Sequence, residues 1–140
     1  MTTLKYWKSE NPYVPGGFGL PNCTCYAFGR VWEYSGTWPE NLGPGHAYGN
    51  ARDWYPAAVA QNIPHGNVPK LGAVICYDNV DGGHVAIVEK IFSDGSILLS
   101  NSGYTRDPAL WDDYFFYLTP ADQSPGVLTA ANNYTSSHHV

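Results

Sequence analysis

The apolar residues change their period once along this 140-residue chain, and that change limits the folds open to it. Before residue 70 the punctuation is dense in Gly and Pro, and two stretches between the breaks carry helical spacing. The first runs from Cys23 to about Tyr34. It follows Asn22, a good N-cap residue, and stops at Ser35-Gly36. The second, Ala51 to about Gln61, follows Asn50 as a cap. After residue 70 the pattern turns β-prone, in Ala73–Tyr77, Gly83–Ile91, Ser96–Asn101 and Tyr114–Leu118. Asp94-Gly95 marks a tight hairpin between two of these strands. Helices first and strands after, with short connections, predict an α+β domain with the helices packed on an antiparallel sheet. Residues 1–120 read as this domain. Residues 121–140 are small and polar and read as a tail or linker, poorly ordered at its end.

Composition narrows the partners. Only 7 Lys and Arg are present, the net charge is −5 and no basic stripe exists, which argues against nucleic acid. No apolar run reaches the roughly 20 residues of a membrane helix, so membrane insertion is not expected. The first eight residues, Met1 to Lys8, lack the apolar centre of a secretion signal. The 11 Tyr and 5 Trp exceed ordinary use, and they serve either a core short of Leu and Met or a groove for a polar ligand. Trp38, Tyr48 and Trp54 are groove candidates, with core packing the stronger expectation for Trp54.

The chemistry centres on cysteine. An odd count of three, Cys23, Cys25 and Cys76, leaves at least one thiol unpaired, and the spacing fits neither a disulfide framework nor a four-ligand zinc site. Cys76 lies in an apolar strand, where a small buried Cys is ordinary. Cys23 follows the cap directly, where helix N–H groups and the macrodipole favour a thiolate. Cys25 sits about 200° further round the helix, so the two cannot share one cleft, and position favours Cys23. A cysteine nucleophile calls for an imidazole. Of His46, His65, His84, His138 and His139, only His84 opens a strand, after Asp81-Gly82-Gly83. If its strand pairs with the next, Asn101 ends beside it, and its amide oxygen can accept the Nδ1–H and hold the ring.

These residues resemble a known family. Asn22-Cys23-Thr24-Cys25-Tyr26-Ala27, with Arg30 after it, is similar to the nucleophile motif Gln-Cys-Thr-Trp-Tyr-Ala of CHAP domains, the cysteine, histidine-dependent amidohydrolases/peptidases. Gly49-Asn50-Ala51-Arg52-Asp53-Trp54, Pro69-Lys70-Leu71-Gly72-Ala73-Val74 and Gly83-His84-Val85-Ala86-Ile87-Val88-Glu89 resemble three further motifs of that family, in the same order. The resemblance implies a papain-like fold with a sheet of about four to six strands, Cys23 as nucleophile and His84 as its base. The Glu-x-Asn pattern of the family reads Leu99-Ser100-Asn101 here, which implies Cys-His-Asn with no Glu. A carboxylate from elsewhere, Glu89 or Asp107, stays open. The Cys23 N–H and the Asn22 side chain are the expected oxyanion donors. The calcium-binding loop of some members has no counterpart, since residues 11–21 hold no carboxylate, so no metal and no cofactor are expected.

The family implies cleavage of an amide bond in bacterial peptidoglycan, as an N-acetylmuramoyl-L-alanine amidase or an endopeptidase. The missing secretion signal adds the expectation of a phage endolysin. It would be made in the host cytoplasm, released to the wall through a separate pore, and possess or lack a separate wall-binding module. A virion-associated or bacterial wall-remodelling hydrolase, or a non-catalytic wall-binding domain, are the alternatives.

Overall fold

A computed structural model describes residues 11, 13–14, 16–35, 50–60, 62, 64–66, 68–77, 83–105, 107–110, 116–121 and 137–139. It has the α+β architecture expected from the sequence. Helix α1 spans Cys23–Ser35, and α2 spans Trp54–Ala60. The strands are β1 (Val74–Tyr77), β2 (His84–Ile91), β3 (Ile97–Asn101), β4 (Tyr117–Ala121) and β5 (Ser137–His139). They form one sheet in the order β4-β3-β2-β1-β5, and every neighbouring pair is antiparallel.

Three features depart from the sequence reading. The second helix is not continuous from Ala51, because residues Ala51–Asp53 form a 3-10 turn before α2. Asn50 makes no side-chain cap there, and its carbonyl accepts the Asp53 N–H instead. The fourth strand starts at Tyr117 rather than Tyr114, and residues 114 and 115 lie outside the described residues. Finally Ser137–His139, read from composition as part of a polar tail, pairs with the outer edge of β1. An open edge offers a row of backbone donors and acceptors, and a short segment of any composition can take them.

Period-two alternation gives the sheet two buried faces. Val74, Cys76, Val85 and Ile87 pack with α1 and α2 through Cys25, Phe28, Trp54 and Ala58. Ile75, Tyr77, Ala86, Val88, Ile97 and Leu99 point the other way. Trp54 is fully buried and stacks on Tyr13 at 6.4 Å, so it is core and not groove. Cys76 is a core thiol, as its strand position implies.

One polar cluster sits between α1 and the sheet. The Arg30 guanidinium donates to both Glu89 oxygens at 2.8 Å and to Glu33 at 2.9 Å. Ser100 donates to Glu89 at 2.6 Å. The β2–β3 register slips between Val88 and Lys90, so Glu89 is the bulged residue, and bulges re-aim side chains. Here Glu89 meets a helix cation two turns beyond Cys23. Side-chain exposures of 16% and 17% for Arg30 and Glu89 leave some solvent screening. Glu89→Ala is therefore expected to lower stability by roughly 2 kcal/mol, less than for a fully buried pair, as measured by urea denaturation.

Candidate active site

Cys23 is the first residue of α1, and Asn22 caps it. The Asn22 Oδ1 accepts the Thr24 N–H at 3.3 Å and the Thr24 hydroxyl at 3.0 Å, while its carbonyl accepts the Tyr26 N–H at 3.0 Å. The Asn22 side-chain amide donates to the Phe18 carbonyl at 3.1 Å, which leaves one of its two hydrogens. Among the described residues no acceptor takes the Cys23 N–H.

His84 opens β2 and Asn101 ends β3. Ile87 pairs with Ser100, and continuing that register by one places Asn101 opposite Ala86. His84 and Asn101 are then diagonal neighbours on one face, within side-chain reach. The His84 Nε2–H donates to Asn101 Oδ1 at 2.8 Å. The Asn101 Nδ2 donates to the Leu99 carbonyl at 3.4 Å, which fixes which end of the amide faces the ring. This corrects the ring nitrogen: Asn101 holds Nε2, not Nδ1. Nδ1 is thereby left for Cys23, whose thiol hydrogen-bonds His84. Tyr77, the cross-strand partner of His84, lies nearly parallel to the imidazole at 6.3 Å and 12°.

The electrostatics suit a thiolate–imidazolium pair. Burial pushes the Cys23 thiol up. The hydrogen bond and charge of His84, with the Val85 and Thr24 backbone N–H groups, outweigh it and hold the thiol below its ordinary range. Burial likewise opposes a charged His84, but Cys23 and then Asn101 raise it above its ordinary value. Cys25 has no such partner in the site: burial pushes it up to about 12, which leaves it an inert thiol. The pair exists above the Cys23 transition and below that of His84, so activity should follow a bell in pH. Asn101→Ala removes one of the interactions that raise His84. Its alkaline limb should move to lower pH, with kcat down about a hundredfold, as read from a pH–rate profile.

Neither open carboxylate serves His84. Glu89 is held by Arg30 and Ser100. Asp107 starts a 3-10 turn, accepting the Ala109 N–H at 3.0 Å. Among the described residues no group of three or more His, Cys, Asp or Glu is placed to hold a metal. Trp38, Tyr48 and His46 lie outside the described residues. The sequence reading passed over Ser100 and Ser102. Both flank Asn101 at alternate positions, and alternation along a strand was the available signal.

Comparison with known proteins identifies the family of the chain. Residues 13–103, which carry Cys23, His84 and Asn101, match the CHAP domain. The chain belongs to the CHAP family. Two curated relatives of this CHAP chain are similar in sequence. A putative hydrolase of Streptococcus mutans is 34% identical over 86 residues, which are 61% of this chain and 40% of the relative. The staphylococcal secretory antigen ssaA2 of Staphylococcus aureus is 34% identical over 105 residues, 75% of this chain and 34% of the relative. The CHAP chain thus spans well under half the length of these relatives. The fold is also similar to a crystal structure of an N-acetylmuramoyl-L-alanine amidase from Staphylococcus aureus. The TM-score is 0.61 at 22% identity, covering 85% of this chain and 30% of the amidase.

Proposed function

We propose that this CHAP chain hydrolyses an amide bond in the peptide part of bacterial peptidoglycan by a Cys-His-Asn mechanism. The observation that carries the reading is the hydrogen-bonded series Cys23–His84–Asn101 at the start of a capped helix. The Cys23 thiolate attacks the scissile carbonyl. The Cys23 N–H, aided by the remaining Asn22 amide hydrogen, receives the developing oxyanion. The His84 Nδ1–H protonates the leaving amine, and a thioester remains. The neutral His84 then takes a proton from water, the hydroxide attacks the thioester, and the carboxylic acid leaves as Cys23 and His84 return to their starting state. Asn101 keeps the imidazole oriented through both steps.

The family membership and the amidase with the similar fold support the wall as substrate. Amidase and endopeptidase activity differ in groove shape, which loops set. Mass spectrometry of digested peptidoglycan tests the proposal. Freed lactyl groups on intact glycan mark an amidase, and new peptide N-termini mark an endopeptidase. Walls left intact by the folded protein would refute both and favour a non-catalytic wall-binding domain.

Two settings suit this chemistry. One is a phage endolysin, made in the host cytoplasm, released to the wall and joined or not to a separate wall-binding module. The other is a bacterial wall-remodelling hydrolase, which the streptococcal and staphylococcal relatives favour. The genes that neighbour the coding sequence separate them, because an endolysin lies among phage lysis genes.

A further inference from the structure

Three consecutive polar residues mark the end of β3, Ser100 and Asn101 within the strand and Ser102 just after it, and only Asn101 belongs to the catalytic series. Asn101 points to His84. Ser100, one residue earlier, donates to Glu89 between β2 and α1. Ser102, one residue later, is wholly buried, and its Oγ accepts the Asn22 backbone N–H at 3.0 Å. Asn22 is the residue immediately before the nucleophile and 80 positions away in sequence. The chain end that orients the imidazole therefore also grips the start of the helix that bears the thiol.

We propose that Ser102 is a positioning residue that sets the Cys23–His84 hydrogen bond. It touches neither reacting atom, and its burial keeps it from substrate. It works by fixing the origin of α1 against the strand that holds Asn101. The other groups of Asn22 tie it only to its own neighbourhood, to Phe18, Thr24 and Tyr26. Those bonds shape the cap but cannot relate it to His84. Of the Asn22 hydrogen bonds, the one to Ser102 reaches across to the end of β3. A shift of a few tenths of an ångström there weakens the contact that keeps the Cys23 thiol ionised, and small misplacements of reacting groups have large kinetic effects. The Arg30–Glu89–Ser100 cluster holds α1 further along, so removing Ser102 releases the helix start while the body stays docked.

This inference rests on the proposed Cys-His-Asn reading, and the test keeps the two apart. The alkylation rate of Cys23 is followed against pH by mass spectrometry of its peptide, in wild type, Ser102→Ala, Ser102→Cys and Ser100→Ala, with thermal melts alongside. The Cys variant keeps the shape and weakens the acceptor, so it answers even if the Ala variant does not fold. The expected result is a wild-type thiolate that reacts well below the ordinary thiol range. In both Ser102 variants the acidic limb should rise by about one pH unit, with about a tenfold loss of kcat/KM. Ser100→Ala should lower the melting temperature and leave the limb in place. A folded Ser102 variant with the wild-type limb overturns the role of Ser102 while the catalytic reading stands. A wild-type Cys23 that ionises as a free thiol overturns the catalytic reading itself.

Discussion

Cys23→Ala should abolish peptidoglycan hydrolysis, with a loss of about four orders of magnitude or more, while the protein stays folded. The two halves of that expectation have separate causes. Without sulfur no thioester forms, and His84 and Asn101 can at best position a water. The fold survives because the Cys23 side chain is small and sits at the edge of the core, where the helix start is held by the Asn22 cap and by Ser102. Cys25→Ala makes the contrast. That thiol is buried in the core and pushed up to about 12, so its loss should cost stability and leave the rate nearly intact. Turbidity loss of isolated walls, beside a thermal melt of each variant, reads both effects. Lysis retained in Cys23→Ala, or lost only in Cys25→Ala, would overturn the assignment of the nucleophile.

Gly83→Ala should be the most damaging single methyl in the described chain. Gly83 has φ of +76°, a conformation that L side chains rarely adopt. A Cβ there would overlap the Arg52 backbone nitrogen and lie 2.6 Å from the Arg52 Cα. Backbone atoms of a 3-10 turn packed on the sheet cannot step aside as a flexible side chain does. Strain and overlap together are expected to cost about 2–5 kcal/mol. At a few degrees per kcal/mol this is a drop of roughly 10 °C in Tm. Because Gly83 precedes His84 directly, relief of the overlap would also displace the imidazole, so activity should fall even well below the melting point. A variant with wild-type Tm and rate would mean that the close approach of Gly83 to Arg52 does not exist.

The legible parts of this molecule were those where one local rule acts alone. Asn22 before an unbroken stretch announced the start of α1, and its cap bonds are present. The apolar run Val85–Val88, rich in β-branched residues, and the Asp94-Gly95 turn announced the β2–β3 hairpin, which in turn placed Asn101 near His84. The illegible parts depend on partners distant in sequence. Which imidazole nitrogen meets Asn101 follows from the side on which α1 arrives. Asn101-Ser102-Gly103 looks like a turn until Ser102 is seen to accept the N–H of a residue 80 positions away. Glu89 was a possible partner for His84 until the bulge and Arg30 gave it another. The β5 pairing has no signal in Ser137–His139 at all, because an edge accepts backbone and ignores composition. Trp54 shows the same limit, since a buried ring and a groove ring look alike in sequence.

The central claim is that Cys23 and His84 rest as a thiolate–imidazolium pair, and the ultraviolet absorbance of the thiolate measures it directly. The difference between wild type and Cys23→Ala, followed across pH, isolates this one sulfur. The predicted curve rises well below the free-thiol value of about 8.5 and stays high through neutrality, and it moves upward when His84 is replaced by Ala. A curve that rises only near the free-thiol value, with or without His84, would contradict the pair and the mechanism built on it.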